Sequence, residues 1–277
     1  MEISVRDSGV DAMYRELRKM GYDGLDVSFP SWDMREYILS DEYEEATRRK
    51  HLRLVEEGLR VYQTHLTMYP SHLTPIGDGS YEDFEEYMLP IFLRELELNK
   101  MLDCDIAVIH LYFDSSRENS QKGNLMLLER LLPTAEKQGV KIAIENIYAK
   151  GRTEAYLSTS EDLLFYTEHF KSELLGVCLD TGHAITRGQS PEKMVKELGS
   201  SLKALHLHSN VQGGDLHLPP LFTNTMDWQK FRQALSDIGY GGSFNMEIKP
   251  PKQMSEATQL LYYRMAYAIA KEICRTD

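Results

Sequence analysis

The feature that most restricts the fold is a repeated unit, in which a short apolar, β-rich run closes on an acid or a histidine and a helix-like segment follows. It is plainest at Gly176-Val177-Cys178-Leu179-Asp180-Thr181-Gly182-His183. The run from Gly176 to Leu179 is too short for a helix and suits a buried strand. Asp180 and His183 follow where the chain turns toward the next helix, with Gly182 read as the turn residue. The same ending recurs at Glu145 in Ile142-Ala143-Ile144-Glu145-Asn146, at His206 and His208 in Leu202-Lys203-Ala204-Leu205-His206-Leu207-His208, and at Glu247 in Phe244-Asn245-Met246-Glu247-Ile248. Polar groups at one strand end after another point to a single shared site.

Read in order, the chain gives strands at 3–5, 25–29, 60–66, 106–110, 142–145, 176–180, 202–208 and 244–248. Helical periodicity or helix start and stop signals predict helices over 10–20, 41–57, 81–101, 125–138, 160–170, from 191, over 227–238 and over 255–273. Loops over 67–80 and 112–123 are rich in turn-forming or polar residues, and the first is long enough to cover a site. In the last helix a stripe of Leu261, Met265 and Ile269 is expected to pack on the barrel. Strict alternation with no linker implies a parallel sheet covered by helices, and eight repeats suit one (β/α)8 TIM-barrel domain over residues 1–277. No glycine-rich dinucleotide fingerprint or P-loop follows any strand, so an open doubly wound sheet has no support.

Composition narrows the function classes. Asp and Glu number 43 against 31 Lys and Arg, a formal net charge of -12, and such a field disfavours binding to a phosphate backbone. Cys104, Cys178 and Cys274 show no paired spacing, which points away from a disulfide framework or a thiolate zinc site and toward a reducing compartment. No apolar stretch is long enough to span a bilayer and the first residues form no signal core, so the expected location is the cytoplasm, with no membrane partner.

In a barrel the strand ends converge on one mouth, which brings together His65, His110, Glu145, Asp180, His183, His206, Asp215, His217 and Glu247. Imidazoles and carboxylates without thiolates suit Zn2+, Mn2+, Fe2+ or Co2+, with Mg2+ also open, and the set is large enough for one to three divalent ions. His208 shares a strand face with His206, and Lys249 shares one with Glu247. Trp32, Tyr69, Tyr112 and Phe222 in the mouth loops are candidates for an apolar wall against a substrate or for a subunit contact in a homo-oligomer. Arg117, Lys122, Lys150 and Arg152 are the mouth-loop cations available for one substrate phosphate.

These motifs together resemble the xylose isomerase-like TIM barrels, a superfamily of sugar isomerases, sugar epimerases and the endonuclease IV group of AP endonucleases. The resemblance rests on Ile-Glu-Asn at Glu145, Leu-Asp-Thr-Gly-His at Asp180 and His183, Leu-His-Leu-His at His206, Asp-Leu-His at Asp215 and His217, and Met-Glu-Ile at Glu247. In the isomerase and epimerase branch it implies one divalent ion on Glu145, Asp180, His206 and Glu247. The two glutamates would be the catalytic acid and base at a sugar carbon, acting through an enediolate, and His183 would hold a substrate oxygen. His208, Lys249, Trp32 and Tyr69 are then expected around a small carbohydrate-like substrate.

In the endonuclease IV branch the resemblance implies that all nine positions ligate three zinc ions of a phosphodiesterase. Against that branch stand the acidic charge, the lack of a Lys/Arg run for a duplex, and Leu218-Pro219-Pro220-Leu221-Phe222 where a glycine-rich loop is expected. Against a standard ketose epimerase stands Ser209-Asn210-Val211-Gln212, where that branch shows a glutamate and an arginine. The reading is therefore a metal-dependent sugar, sugar phosphate or polyol isomerase or epimerase. The alternatives are a multinuclear zinc phosphodiesterase and a catalytically silent metabolite-binding barrel.

Overall fold

A computed structural model describes residues 1–73, 79–148, 156–210, 214–221, 223 and 225–275. Its strands are β1 (Ile3–Arg6), β2 (Gly24–Ser28), β3 (Arg60–His65), β4 (Ile106–Ile109), β5 (Lys141–Glu145), β6 (Leu175–Asp180), β7 (Leu202–His206) and β8 (Phe244–Met246). All are parallel in one sheet of order β7-β6-β5-β4-β3-β2-β1-β8. The seam between β7 and β8 is closed just beyond the strands. There the Leu207 N–H donates to Asn245 O at 2.9 Å and the Glu247 N–H donates to Leu207 O at 3.1 Å. Eight parallel strands thus form a barrel with helices between them, as the alternation predicts.

The helices are α1 (Asp11–Met20), α2 (Arg35–Ile38), α3 (Asp41–Glu56), α4 (Tyr81–Met101), α5 (Arg117–Gln138), α6 (Ser160–Phe170), α7 (Thr181–Thr186), α8 (Pro191–Leu198), α9 (Trp228–Asp237) and α10 (Glu256–Ile273). Side-chain caps explain several of the starts. Ser80 and Thr159 form capping boxes with Asp83 and Asp162 at the heads of α4 and α6.

The polar stretch predicted as a loop to residue 123 is largely helix. Ser116 caps α5 by accepting from the Asn119 N–H, so the helix begins at Arg117, and Gly123 lies inside it. A Cβ on Gly123 would stand 2.8 Å from the Tyr81 ring and 3.0 Å from that of Tyr112, so the glycine is there for close packing, not for a break. The stripe expected to seat α10 is also corrected. Leu261 and Met265 are 63% and 39% exposed, and α10 packs through Tyr263, Ala266, Ala270 and Ile273. A pattern of three apolar residues four apart was outweighed by a face built on two alanines.

Inside the barrel the side chains two residues before each strand-end group divide into two arcs. Val108, Ala143, Cys178 and Ala204 on β4 to β7 pack as a small apolar cluster. Ser4, Asp26, Gln63 and Asn245 on β1, β2, β3 and β8 are buried and polar. Neither arc leaves a pore, and together they form the floor on which the mouth residues stand.

Behind the mouth, Glu95 on α4 is fully buried and ties two loops. One carboxylate oxygen accepts the Thr67 N–H at 3.0 Å and the other lies on the Thr67 hydroxyl, which in turn reaches Pro30 O at 2.7 Å. A hydroxyl has one hydrogen to give, so only a protonated Glu95, donating to Thr67 while Thr67 donates to Pro30, satisfies all three. Burial, set against the Thr67 hydrogen bonds, pushes this carboxyl up to about 8. A folded-state value above the unfolded one means that its stabilising effect is complete below the unfolded carboxylate range and is lost as pH rises toward 8. Thermal melts of wild type and Glu95→Gln at intervals from pH 5 to 9 test this. The wild-type Tm, relative to the variant's, is expected to fall between pH 5 and 8 and to level off above it. Parallel curves would remove Glu95 as the cause.

Candidate active site

Six of the strand-end groups come together as the sequence spacing implies. Glu145 lies at the centre. Its Oε2 is 3.2 Å from His65 Nε2 and 2.9 Å from His110 Nε2, and its Oε1 is 3.2 Å from His206 Nδ1 and 3.4 Å from His183 Nδ1. Glu247 Oε2 approaches His206 Nδ1 at 3.5 Å from the other side. Donor atoms of Glu145, Asp180, His206 and Glu247 all lie within 4.8 Å of one another, as do those of His65, His110 and Glu145. The Nε2 atoms of His183 and His217 face Asp215 Oδ2 at 3.6 and 3.4 Å.

The local sequence explains how these groups are held. Asp180 caps the short helix α7, with Oδ1 accepting the His183 N–H at 2.6 Å. Asn146, next to Glu145, accepts the Asp180 N–H at 2.7 Å and donates to Asp180 O at 2.9 Å, which locks the end of β5 to that of β6. Asn210 accepts the Leu216 N–H at 2.6 Å and donates to Asp215 Oδ1 at 3.3 Å, while Ser209 and Leu218 form a two-bond bridge. The stretch that departs from the epimerase pattern therefore holds the loop that carries Asp215 and His217. His217 itself sits at a φ of 47°, the left-handed region that side chains other than glycine enter at a cost.

Ring protonation follows from the partners. His65 Nδ1 lies 2.8 Å from Leu66 O, His183 Nδ1 2.8 Å from Asn146 O, and His217 Nδ1 2.9 Å from Glu247 O. A carbonyl oxygen only accepts, so each of these nitrogens carries the hydrogen. His206 points Nε2 at Asp26 Oδ2 at 3.0 Å. In all four rings the other nitrogen faces a carboxylate. A neutral imidazole presents a lone pair there, and two acceptors facing each other repel unless a proton or a cation lies between them. His206 Nδ1 is buried and makes no hydrogen bond among the described residues.

The titration tendencies carry the same signature. Burial favours neutral forms, yet the nearby carboxylates with Cys178 raise His206 well above its ordinary value, and Asp180, Asp215 and Glu145 do the same for His183. Burial opposes ionisation of Glu145 as well, but the His206 and His110 imidazoles hold it well below the carboxylate range. His217 is lifted to about 8, with Asp215 and Glu247 overcoming burial. Groups that retain protons so strongly for want of another cation, each with its second ring nitrogen anchored, form a donor set suited to divalent metal ions.

Above this cluster opens a pocket of about 600 Å³ lined by Arg6, Trp32, Tyr69, Tyr148, Lys249 and the exposed edges of the cluster. Trp32 and Tyr69 stand on its wall as expected, and Lys249 is exposed at its rim. Three expectations meet a different arrangement. His208 is fully buried beneath the pocket, its Nε2–H on Asp180 Oδ2 at 3.0 Å, so it supports Asp180 instead of lining the wall. Tyr112 is fully buried in the core. Arg117 pairs with Asp162 at 2.7 Å. Lys150, Arg152 and Phe222 lie outside the described residues.

Two polar groups at the site went unread in the sequence. Arg6 ends β1 and donates to Glu247 Oε1 at 2.6 Å, and Asp26 lies in the middle of β2. Both occupy inward positions of their strands, the signal that would have found them.

Comparison with known proteins places the chain. The family model for the xylose isomerase-like TIM barrel matches residues 14–264. An uncharacterized protein y4fM of Sinorhizobium fredii is 24% identical over 286 residues, covering 95% of this chain and 88% of that one. A structure of D-psicose 3-epimerase with D-tagatose from Clostridium cellulolyticum H10 superposes with a TM-score of 0.78 at 13% identity over the full length of both chains. The 3-keto-D-glucoside 4-epimerase YcjR of E. coli, in its apo form, gives 0.73 at 17% identity, covering 98% and 99%. At these identities the likeness to solved structures concerns the fold.

Gly182 offers a test of the packing under the site. It is helical, at ordinary φ, and a Cβ there would stand 1.9 Å from His208 Cε1, so the residue makes room for the ring that holds Asp180 and is not a turn glycine. Gly182→Ala is expected to lower stability by about 1–3 kcal/mol in urea titration. A wild-type midpoint would show that the ring relocates freely.

Proposed function

Since the chain belongs to the xylose isomerase-like TIM barrel family, we propose that it is a divalent-metal enzyme that isomerises or epimerises a small polyhydroxylated substrate, a sugar, sugar phosphate or polyol. The observation that carries this reading is the unpaired Nδ1 of His206 facing Glu145 and Glu247, two carboxylates that line a pocket of about 600 Å³. Glu145, Asp180, His206 and Glu247 would hold the principal ion, Mn2+, Mg2+, Co2+ or Zn2+. When bound, that ion supplies Lewis-acid polarisation of a substrate carbonyl.

The remaining work falls to the chain's own groups. Glu145 and Glu247 are assigned to move the proton at the carbon beside that carbonyl, one removing it and the other returning it. Arg6, fixed on Glu247 Oε1, leaves Oε2 directed at the cluster. His183, on the pocket wall with Nδ1 anchored on Asn146, is assigned to hold a substrate oxygen. Trp32 and Tyr69 would cover the apolar face of the substrate, and Lys249 would meet it at the rim. The assignment includes one barrel domain, a cytoplasmic location and no nucleic-acid partner, consistent with the net charge of -12. Among the described residues no helix is long and apolar enough to cross a membrane.

A second reading, a multinuclear phosphodiesterase, is favoured by one specific observation. His65, His110 and Glu145, and His208, His217 and Glu247, form two further groups whose donor atoms lie within 4.8 Å of one another and would accommodate further ions, with Asp215 beside His183 and His217.

Elemental analysis of the purified protein and of His110→Ala/His217→Ala separates the two. About one equivalent of Mn, Mg or Co, unchanged in the variant, supports the first reading, and Glu247→Gln should then lower turnover on a responsive sugar by about 100- to 10,000-fold. Two or three equivalents of Zn, falling in the variant, support the second. No bound metal would sink both. Under the first reading, incubation with a sugar panel in D2O is also expected to place deuterium at a carbon beside the carbonyl, and an active panel member without label would exclude the enediolate route.

A further inference from the structure

Asp26 is a carboxylate in the middle of a barrel strand, 1% exposed, and among the described residues no lysine or arginine forms an ion pair with it. Such a group is costly to bury without purpose. Its surroundings show what it does. Oδ2 accepts from Gln63 Nε2 on β3 at 3.1 Å, from Asn245 Nδ2 on β8 at 3.1 Å and from His206 Nε2 on β7 at 3.0 Å. The two amides are aimed in turn. Ser4 donates to Asn245 Oδ1 at 2.9 Å, which leaves Nδ2 for Asp26, and both amides also donate to Leu205 O, at 3.3 and 3.2 Å. The polar arc of the floor is thus a cradle that holds one carboxylate oxygen under one imidazole.

We propose that Asp26 is the positioning residue of His206, holding its ring with Nε2 protonated and turning Nδ1 toward Glu145 and Glu247 as a strengthened donor for a divalent cation. The inference rests on the assignment of His206 as a metal ligand and extends it to a residue outside the mouth. Asp26 touches neither substrate nor ion. A carboxylate behind a histidine fixes the tautomer, restricts rotation of the ring and adds electron density to the far nitrogen, and loss of such a partner typically weakens metal binding by 10–100-fold. A role in folding alone would not need the charge: an asparagine keeps the shape and an acceptor oxygen.

The test measures Mn2+ affinity by titration calorimetry in wild type, Asp26→Asn, His206→Ala and the double variant, together with the Tm of each before Mn2+ is added. Asp26→Asn is expected to weaken Mn2+ by about 10–100-fold, and its Tm without added metal is expected to fall because His206 loses its charged partner, so the affinity of the folded variant is the deciding readout. His206→Ala should weaken binding at least as much, and in that background Asp26→Asn should add nothing. Wild-type affinity in Asp26→Asn, with His206→Ala impaired, overturns the proposal and leaves the metal-site reading standing. Wild-type affinity in His206→Ala overturns both. Should Asp26→Asn fail to fold, long-range 1H–15N spectra of the wild type with Zn2+ decide: a His206 ring protonated at Nε2 and bare at Nδ1 supports the proposal, and one protonated at Nδ1 overturns it.

Discussion

The structure depends on one electrostatic condition: imidazole nitrogens whose rings are anchored elsewhere are made to face carboxylates. His65, His183 and His217 commit one N–H to backbone carbonyls and His206 commits one to Asp26, so the opposite nitrogens cannot relieve the contact by changing tautomer. Folding has placed acceptor against acceptor at several points around Glu145 and Asp215. A protein would not gain stability from that arrangement by itself, since buried like-signed partners cost free energy unless something positive joins them. The fold spends its rigidity on holding those atoms 3.2 to 3.6 Å apart, the contact that raises the pKa values of the imidazoles.

The barrel supplies that rigidity through two stacked sets of inward side chains. The upper set ends the strands and carries the chemistry. The lower set, two residues earlier, decides how the upper one stands: small apolar groups lie under Glu145, Asp180 and His206 on their own strands, a polar group lies under Glu247, and Asp26 of the polar arc reaches across to the His206 ring. The division matters because a carboxylate can be aimed by its own strand and by neighbours at the mouth, as Asn146 and the α7 cap do for Asp180, whereas an imidazole needs a partner behind it. The loop closing over β7 follows the same logic, with Asn210 holding Asp215 and a strained backbone holding His217.

Much of this was legible in the sequence, for a physical reason. Short apolar runs that close on ionisable residues can only be buried strands whose ends meet, so the eight-strand barrel and the gathering of His65, His110, Glu145, Asp180, His206 and Glu247 could be read from spacing. What escaped was polarity inside the runs. Asp26 in Gly24-Leu25-Asp26-Val27-Ser28 looks like an interruption of a strand, and only its phase, inward with Ser28, marks it as part of the site. Gly123 and Gly182 misled in the opposite direction. Each looked like punctuation, and each proves to be a space kept for a neighbouring ring, which depends on tertiary contacts that no local pattern encodes. The α10 stripe failed likewise, because alanines seat a helix more closely than leucines do.

The carboxylates also bear on which chemistry the site favours. Glu145, Asp215 and Glu247 line the pocket as acceptors, and the hydroxyls of a polyol can donate to them directly. A phosphodiester offers only acceptors. It would be repelled by Glu145, Asp215 and Glu247 unless cations lay between. Under the proposed sugar chemistry one principal ion would suffice, whereas the phosphodiesterase reading calls for the further groups to be occupied as well. The acidic chain as a whole points the same way: with Arg6 already engaged by Glu247, Lys249 at the rim is the free-standing cation on the described wall of the pocket.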